Sequence, residues 1–267
     1  MGGDAALTSA GEQVEIVGLS VMLPLGVSEL REMSHCGGDL LCVIPLTRWD
    51  VEQAALDLVG APPEVASRVR HGGFLCDAEL FEHGFFSISA AEASAMDPQQ
   101  RALLEVGYDT LYKAGQHRGV LAGQPIAVHI GIDHLDWQSM QQQIRTTGQP
   151  EDVSVYAGSG EHGNMASGRL SFVLNLHGPS MSLNTACSST LVASHIGARF
   201  LRTGECSNVL AAGTKALLLP FLLQGLYAAD GRCKSFDARA NGYCRSEAVG
   251  AAFFGMDDAM ITLSGSA

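Results

Sequence analysis

Asn184-Thr185-Ala186-Cys187-Ser188-Ser189 is the stretch on which the reading of this chain turns. Ahead of it, residues 179–183 alternate apolar Met181 and Leu183 around Ser182, a strand pattern. Behind it, Leu191, Val192, Ile196, Phe200 and Leu201 recur at helical spacing over 188–203. The spacing predicts strand, sharp turn and helix, with one cysteine at the turn. A thiol there faces unpaired backbone N–H groups and the positive end of the helix dipole, which favour thiolate over thiol. An acyl-accepting nucleophile needs that environment, and other acyl-transfer folds lift their nucleophile above a sheet on a strand-to-helix turn of this kind. The competing reading is packing: free cysteine is often a core residue, and small hydroxyl residues at a helix start are ordinary caps.

Working outward, Asp97-Pro98 reads as a helix N-cap followed by proline at the first helical position. The helix runs over 98–113, puts Leu103, Leu104, Val106, Gly107 and Leu111 on one side, and ends at Gly115. Asp97, Gln99 and Arg101 are read as its capping network, not as catalytic groups. Strands are expected from Val14, over 126–132, from Val209 and over 249–256, with helices over 52–59, 136–145 and 165–174. The 136–145 helix is polar, glutamine-rich and expected to be exposed; 150–163 reads as loop, and 257–260 as a helix start. The division follows as a flexible leader over 1–12, one domain over 13–260 and a tail over 261–267.

The 267 residues suffice for one large domain with a substantial core, and 46% hydrophobic against 16% charged residues fits a globular chain. Seven cysteines without any CxxC pair show no metal-ligand spacing, and reduced thiols in an intracellular, reducing compartment (cytoplasm or plastid) are the simplest account. A net charge of −12 argues against nucleic acid and anionic membranes as partners. The charge is uneven: residues 1–198 balance at −13, residues 199–267 at +1. The start of the chain lacks the apolar core of a secretory signal. The apolar run over 209–229 is broken by Lys215, Pro220 and Gln224 and reads as buried strand plus loop rather than a membrane span.

Three stretches resemble the β-ketoacyl synthases, the condensing enzymes of fatty-acid and polyketide assembly. They are Thr185-Ala186-Cys187-Ser188-Ser189 after Gly178-Pro179-Ser180; Met96-Asp97-Pro98-Gln99-Gln100-Arg101; and Asp230-Gly231-Arg232-Cys233-Lys234-Ser235-Phe236-Asp237-Ala238-Arg239-Ala240-Asn241-Gly242-Tyr243. They stand in the family's order, cover roughly 14–260, and are nearest the polyketide type. Against the family, the segment over 27–41 looks trimmed. The resemblance implies the N-terminal half of a thiolase-like α/β fold. That half is a mixed, mostly parallel sheet with helices on both faces. Its apolar surface would be covered by a second half, and family members dimerise through the strand before the nucleophile.

The resemblance also implies the chemistry. Cys187 would accept an acyl chain from the phosphopantetheine of an acyl carrier protein, the expected partner, with no cofactor or metal bound directly. A malonyl thioester would then lose carbon dioxide and attack the acyl-cysteine. An acidic carrier would be met by Arg199, Arg202, Lys215, Arg232 or Arg239. In the family two histidines support decarboxylation, in a His-Gly-Thr-Gly-Thr and an Asn-x-Gly-His stretch; neither occurs in these residues, nor does the family's glycine-phenylalanine oxyanion loop. The last histidine is His195, two helical turns and about 12 Å of rise beyond Cys187, while His162 and His177 fall on loops. Asn184 stands where aspartate is common, and Ala248 where glycine is usual. The expectation is an acyltransferase of the 3-oxoacyl-carrier-protein synthase type, possessing the loading nucleophile but not the condensing histidines. The alternative is a non-catalytic synthase module acting as scaffold, dimer partner or carrier-binding surface.

Overall fold

The computed structural model describes residues 13–26, 31, 34–35, 37–57, 70–133, 135–147, 154–220, 227–228, 230–256 and 261–263. The expected leader, most of the trimmed segment and the helix start at 257–260 therefore lie outside the described residues. In chain order, β1 (Val14–Met22) is followed by a two-residue ladder of β2 (Cys42–Val43) with β3 (His71–Gly72), and between these comes α1 (Val51–Asp57). Then come α2 (Ala90–Ala95), α3 (Pro98–Lys113), α4 (Arg118–Leu121), β4 (Ile126–Ile132), α5 (Leu135–Thr147), α6 (Ala157–Glu161) and α7 (Met165–Leu174). The chain continues through β5 (Ser180–Leu183), α8 (Ser189–Thr203), β6 (Asn208–Lys215), β7 (Ala248–Gly255) and β8 (Ile261–Leu263).

Six strands form one sheet in the order β5-β4-β6-β7-β1-β8. β4 is parallel to β5 and β6; the β6–β7, β7–β1 and β1–β8 pairs are antiparallel. By direction, β1, β4, β5 and β6 run one way and β7 and β8 the other, so the sheet is mostly parallel in sense and more mixed in pairing than the sequence suggests. The reason lies in the connections. Parallel neighbours need a crossover: α5 to α7 carry the chain from β4 to β5, and α8 carries it back past β4 to β6. No helix stands between β6 and β7 among the described residues, and β7 returns antiparallel.

Side-chain alternation divides the core in two. Val128, Ile130, Leu210, Ala212, Val249, Ala251 and Phe253 face Leu103, Leu104 and Leu111 of α3 and Leu170 of α7. Ala127, Val209, Ala211 and Phe254 face Ala193, Ala198 and Leu201 of α8. Covered on both sides, β4 is buried along all seven residues. Each large apolar side chain fully buried here stabilises by about 1.5–3 kcal/mol relative to exposure.

The Met96–Arg101 motif is structural, as its capping pattern implies. Asp97 accepts the Gln99 N–H at 2.8 Å and Pro98 opens α3. Gln100 accepts from Arg169 Nε at 2.7 Å, and Arg169 also reaches Glu92 at 2.5 Å. The Ser-Gly-Arg pattern of α7 is thereby tied to α2 and α3. Glu247, fully buried, accepts from Arg48 and from the Leu75 and Leu217 N–H groups, each at 2.8 Å; burial pushes its carboxyl up.

Three expectations change. The 136–145 helix is not exposed throughout, because Asp136 and Trp137 are buried and anchor its first turn. Within 150–163 the chain winds into α6, whose Gly160 carbonyl accepts the N–H of Asp97, the N-cap of α3, at 2.9 Å. Residues 261–263, assigned to a tail, form β8 on β1, where Ile, Thr and Leu suit an extended edge.

Candidate active site

β5 ends at Leu183, level with Gly131 of β4, which is in turn level with Gly213 of β6. The 184–189 turn thus stands beyond the carboxyl ends of the three parallel strands, the place where open α/β sheets bind ligands. The two glycines allow this placement. A Cβ on Gly131 would lie 2.7 Å from Ser189 Cβ and 2.9 Å from its carbonyl carbon, and one on Gly213 would meet the Thr190 hydroxyl. The first turn of α8 therefore sits directly on the sheet.

The turn is held by its own polar groups. Asn184 Oδ1 accepts the Ala186 N–H at 3.0 Å, fixing Ala186 in the left-handed region at φ 56°. Thr185 N–H donates to Ser189 Oγ at 2.8 Å, and Ser189 Oγ–H donates to the Ala186 carbonyl at 2.7 Å. Ser188 Oγ–H donates to the Thr185 carbonyl at 2.8 Å, with the Thr185 hydroxyl 3.0 Å away. Ser188 is the N-cap of α8 without a side-chain capping bond, because its hydroxyl is spent on this turn. Cys187 is exposed one residue before that cap. It projects from a rigid turn at the head of a 15-residue helix, whereas Cys206 is buried in the core, where desolvation pushes its thiol up.

Around the same sheet end, Lys215 pairs with Asp133 at 2.9 Å and Asp136 at 3.3 Å. Asp136 also accepts the Leu218 N–H at 3.0 Å, and Gln99 bridges the Asp133 carbonyl and the Ala216 N–H. These bonds lock the residues after β4 and β6 to the start of α3. Of the five cations proposed to meet a carrier, Lys215, Arg232 and Arg239 are taken up by Asp133 and Asp136, Asp39 and Asp237 respectively.

Of the upstream histidines, His177 lies away from Cys187. His177 hydrogen-bonds Asn175, and its N–H donates to the Gln124 carbonyl, at the opposite end of β4 and β5. Sequence reasoning read Ser189 only as a possible helix cap and Asn184 only as a departure from the family's aspartate, and assigned no role to Gly131 and Gly213; all four shape the turn. The available signal was Asn two residues before a strained position, since an Asn side chain bonds its own backbone two residues on. Among the described residues no group of three or more His, Cys, Asp or Glu is placed to hold a metal ion, and no helix is long and apolar enough to cross a membrane.

Sheet, helices and cysteine turn together define the N-terminal half of a thiolase-like α/β fold presenting one thiol on a strand–turn–helix. The chain belongs to the β-ketoacyl synthase family: the model of its N-terminal domain matches residues 11–255. Similar chains are polyketide synthases. It is 40% identical over 259 residues to polyketide synthase GfsB of Streptomyces halstedii, covering 93% of this chain and 4% of that protein. It is 39% identical over 252 residues to the pikromycin synthase component PikAII of Streptomyces venezuelae, covering 90% and 6%. Among solved structures, the oxazolomycin ketosynthase domain OzmH KS7 of Streptomyces albus JA3453 matches with TM-score 0.79 and 28% identity over 91% of this chain and 42% of that one. The module 6 ketosynthase of the Bacillus subtilis 168 bacillaene synthase (C167S mutant) gives 0.77 and 29% over 91% and 40%. The chain thus spans a small fraction of the polyketide synthases and under half of the ketosynthase domains it matches.

Proposed function

We propose that this chain carries out the loading half of ketosynthase chemistry on Cys187. The thiolate attacks the carbonyl of an acyl thioester borne on the phosphopantetheine of a carrier protein. The tetrahedral intermediate collapses, the carbon–sulfur bond to pantetheine breaks, and the departing thiolate takes up a proton. The acyl chain is then a thioester of Cys187, and its backbone N–H is one donor toward the developing oxyanion. The observation that carries this reading is an exposed cysteine on a turn preorganised by Asn184, Thr185 and Ser189 at the head of α8. Decarboxylative condensation is left out of this reading, because the two family histidine stretches do not occur in these residues. The edge position of β5 supports self-association along it, and exposed Leu191 on α8 supports a second half packing over that helix.

Intact-mass measurement after incubation with an acyl pantetheine thioester tests the proposal. The wild-type chain should gain one acyl group and Cys187→Ala none. Equal gain in both removes Cys187 from the role. No gain in either favours the non-catalytic module, a scaffold or carrier-binding surface.

A further inference from the structure

We infer that Cys233 and Cys244 form an oxidisable dithiol, a modification site separate from Cys187 that a hydroperoxide converts to a disulfide. The 230–246 segment doubles back on itself. Ala228 N–H donates to the Tyr243 carbonyl at 2.9 Å, Tyr227 bridges Tyr243, and Lys234 is held by Asp230 at 2.7 Å and Asn241 at 3.1 Å. The turn brings the Cys233 side chain onto the backbone of Cys244, eleven positions on. Cys244 N–H donates to Cys233 Sγ at 3.2 Å, and the same sulfur is 3.8 Å from the Cys244 carbonyl oxygen. The Cys233 sulfur is therefore within about 4.7 Å of Cys244 Cα, one N–Cα bond further on. Closing the S–S bond to its usual length of about 2.05 Å turns the Cys244 sulfur from the Arg245 carbonyl, 3.7 Å away, toward Cys233.

The two thiols divide the work by environment. Cys233 is exposed and is the one a peroxide reaches. Cys244 is half-buried; burial, then the neighbouring Cys233, push its thiol up to about 11, although Arg232 opposes this. In the first step the Cys233 thiolate attacks one peroxide oxygen, the O–O bond breaks and the hydroxide released takes a proton as water, leaving a sulfenic acid. In the second the Cys244 sulfur attacks the Cys233 sulfur. The S–O bond breaks, the S–S bond forms, and the leaving hydroxide departs as water with the Cys244 proton. Two thiols lose two electrons to one peroxide.

The test uses the full chain carrying Cys187→Ala, reduced, desalted and exposed to hydrogen peroxide. The mass should fall by about 2 Da, a non-reduced digest should contain a linked Cys233–Cys244 peptide, and dithiothreitol should restore both. Adding Cys244→Ala should abolish the loss and leave Cys233 gaining oxygen atoms instead. Linkage of Cys233 to Cys42, which neighbours the same arginine, or to Cys76 beside Cys42, overturns the proposal. So does oxygen addition without linkage when Cys244 is present, and the digest of the Cys244-containing chain reads both whether or not the second variant folds.

Discussion

Ala186 has the one backbone in the nucleophile turn that its side chain disfavours: φ is 56°, a region costing an L-residue about 1–2 kcal/mol. The Asn184 and Ser189 bonds on either side of its peptide hold it there. Glycine lacks the Cβ that causes the cost, and Ala186→Gly should raise stability by up to about 1 kcal/mol. Ala186→Val adds β-branching in the same region and should cost about 1–3 kcal/mol, with slower alkylation of Cys187. Denaturant titration and iodoacetamide rates check both. Equal stability of the three chains would mean that the turn carries no strain.

At the scale of elements, the site depends on how closely α8 approaches the ends of β4 and β6. Gly131 is the limiting contact, because what a Cβ there would meet is Ser189 Cβ and backbone of α8, which cannot swing aside. Gly131→Ala should push the helix start outward, cost about 1–3 kcal/mol as overpacking does, and slow thioester loading of Cys187. Gly119→Ala, where a Cβ meets open space, is the matched control. Loading at the wild-type rate in Gly131→Ala would separate the thiol's reactivity from the seat of its helix.

For the molecule as a whole, the two core layers meet β4 from opposite sides, and one residue between them is polar. His129 is fully buried, its Nδ1 is 3.3 Å from the Ala193 carbonyl of α8, and its ring stands edge-on to Phe200 at 5.2 Å. Nε2 has no hydrogen-bond partner among the described residues, and burial holds the imidazole pKa below its ordinary value. With the folded pKa below the unfolded one, the unfolded chain binds the proton first. Stability is unaffected well above about pH 6.5 and falls as pH drops through that value. His129→Phe, of similar shape, should remove this slope, and its stability advantage over wild type should widen between pH 7.5 and pH 5. A constant difference across that range would show that His129 is protonated equally in both states.

The order of elements was legible wherever one local pattern sufficed. The 98–113 helix was written by Asp97-Pro98 and a 3.6-residue apolar repeat, β4 by a continuous apolar run, and the nucleophile turn by its six residues. α6, the buried first turn of α5 and β8 were not legible, because each is stabilised by contacts to segments distant in sequence: Asp97 for α6, the residues after β6 for Asp136, β1 for β8. By itself the sequence determined which thiol stands at a strand-to-helix turn and, through three motifs in order, the family. Only the tertiary structure decided that this turn rests on two glycines beyond the parallel strands and that Cys233 meets Cys244. Those facts are distances between residues far apart in the chain, and periodicity carries no information about them.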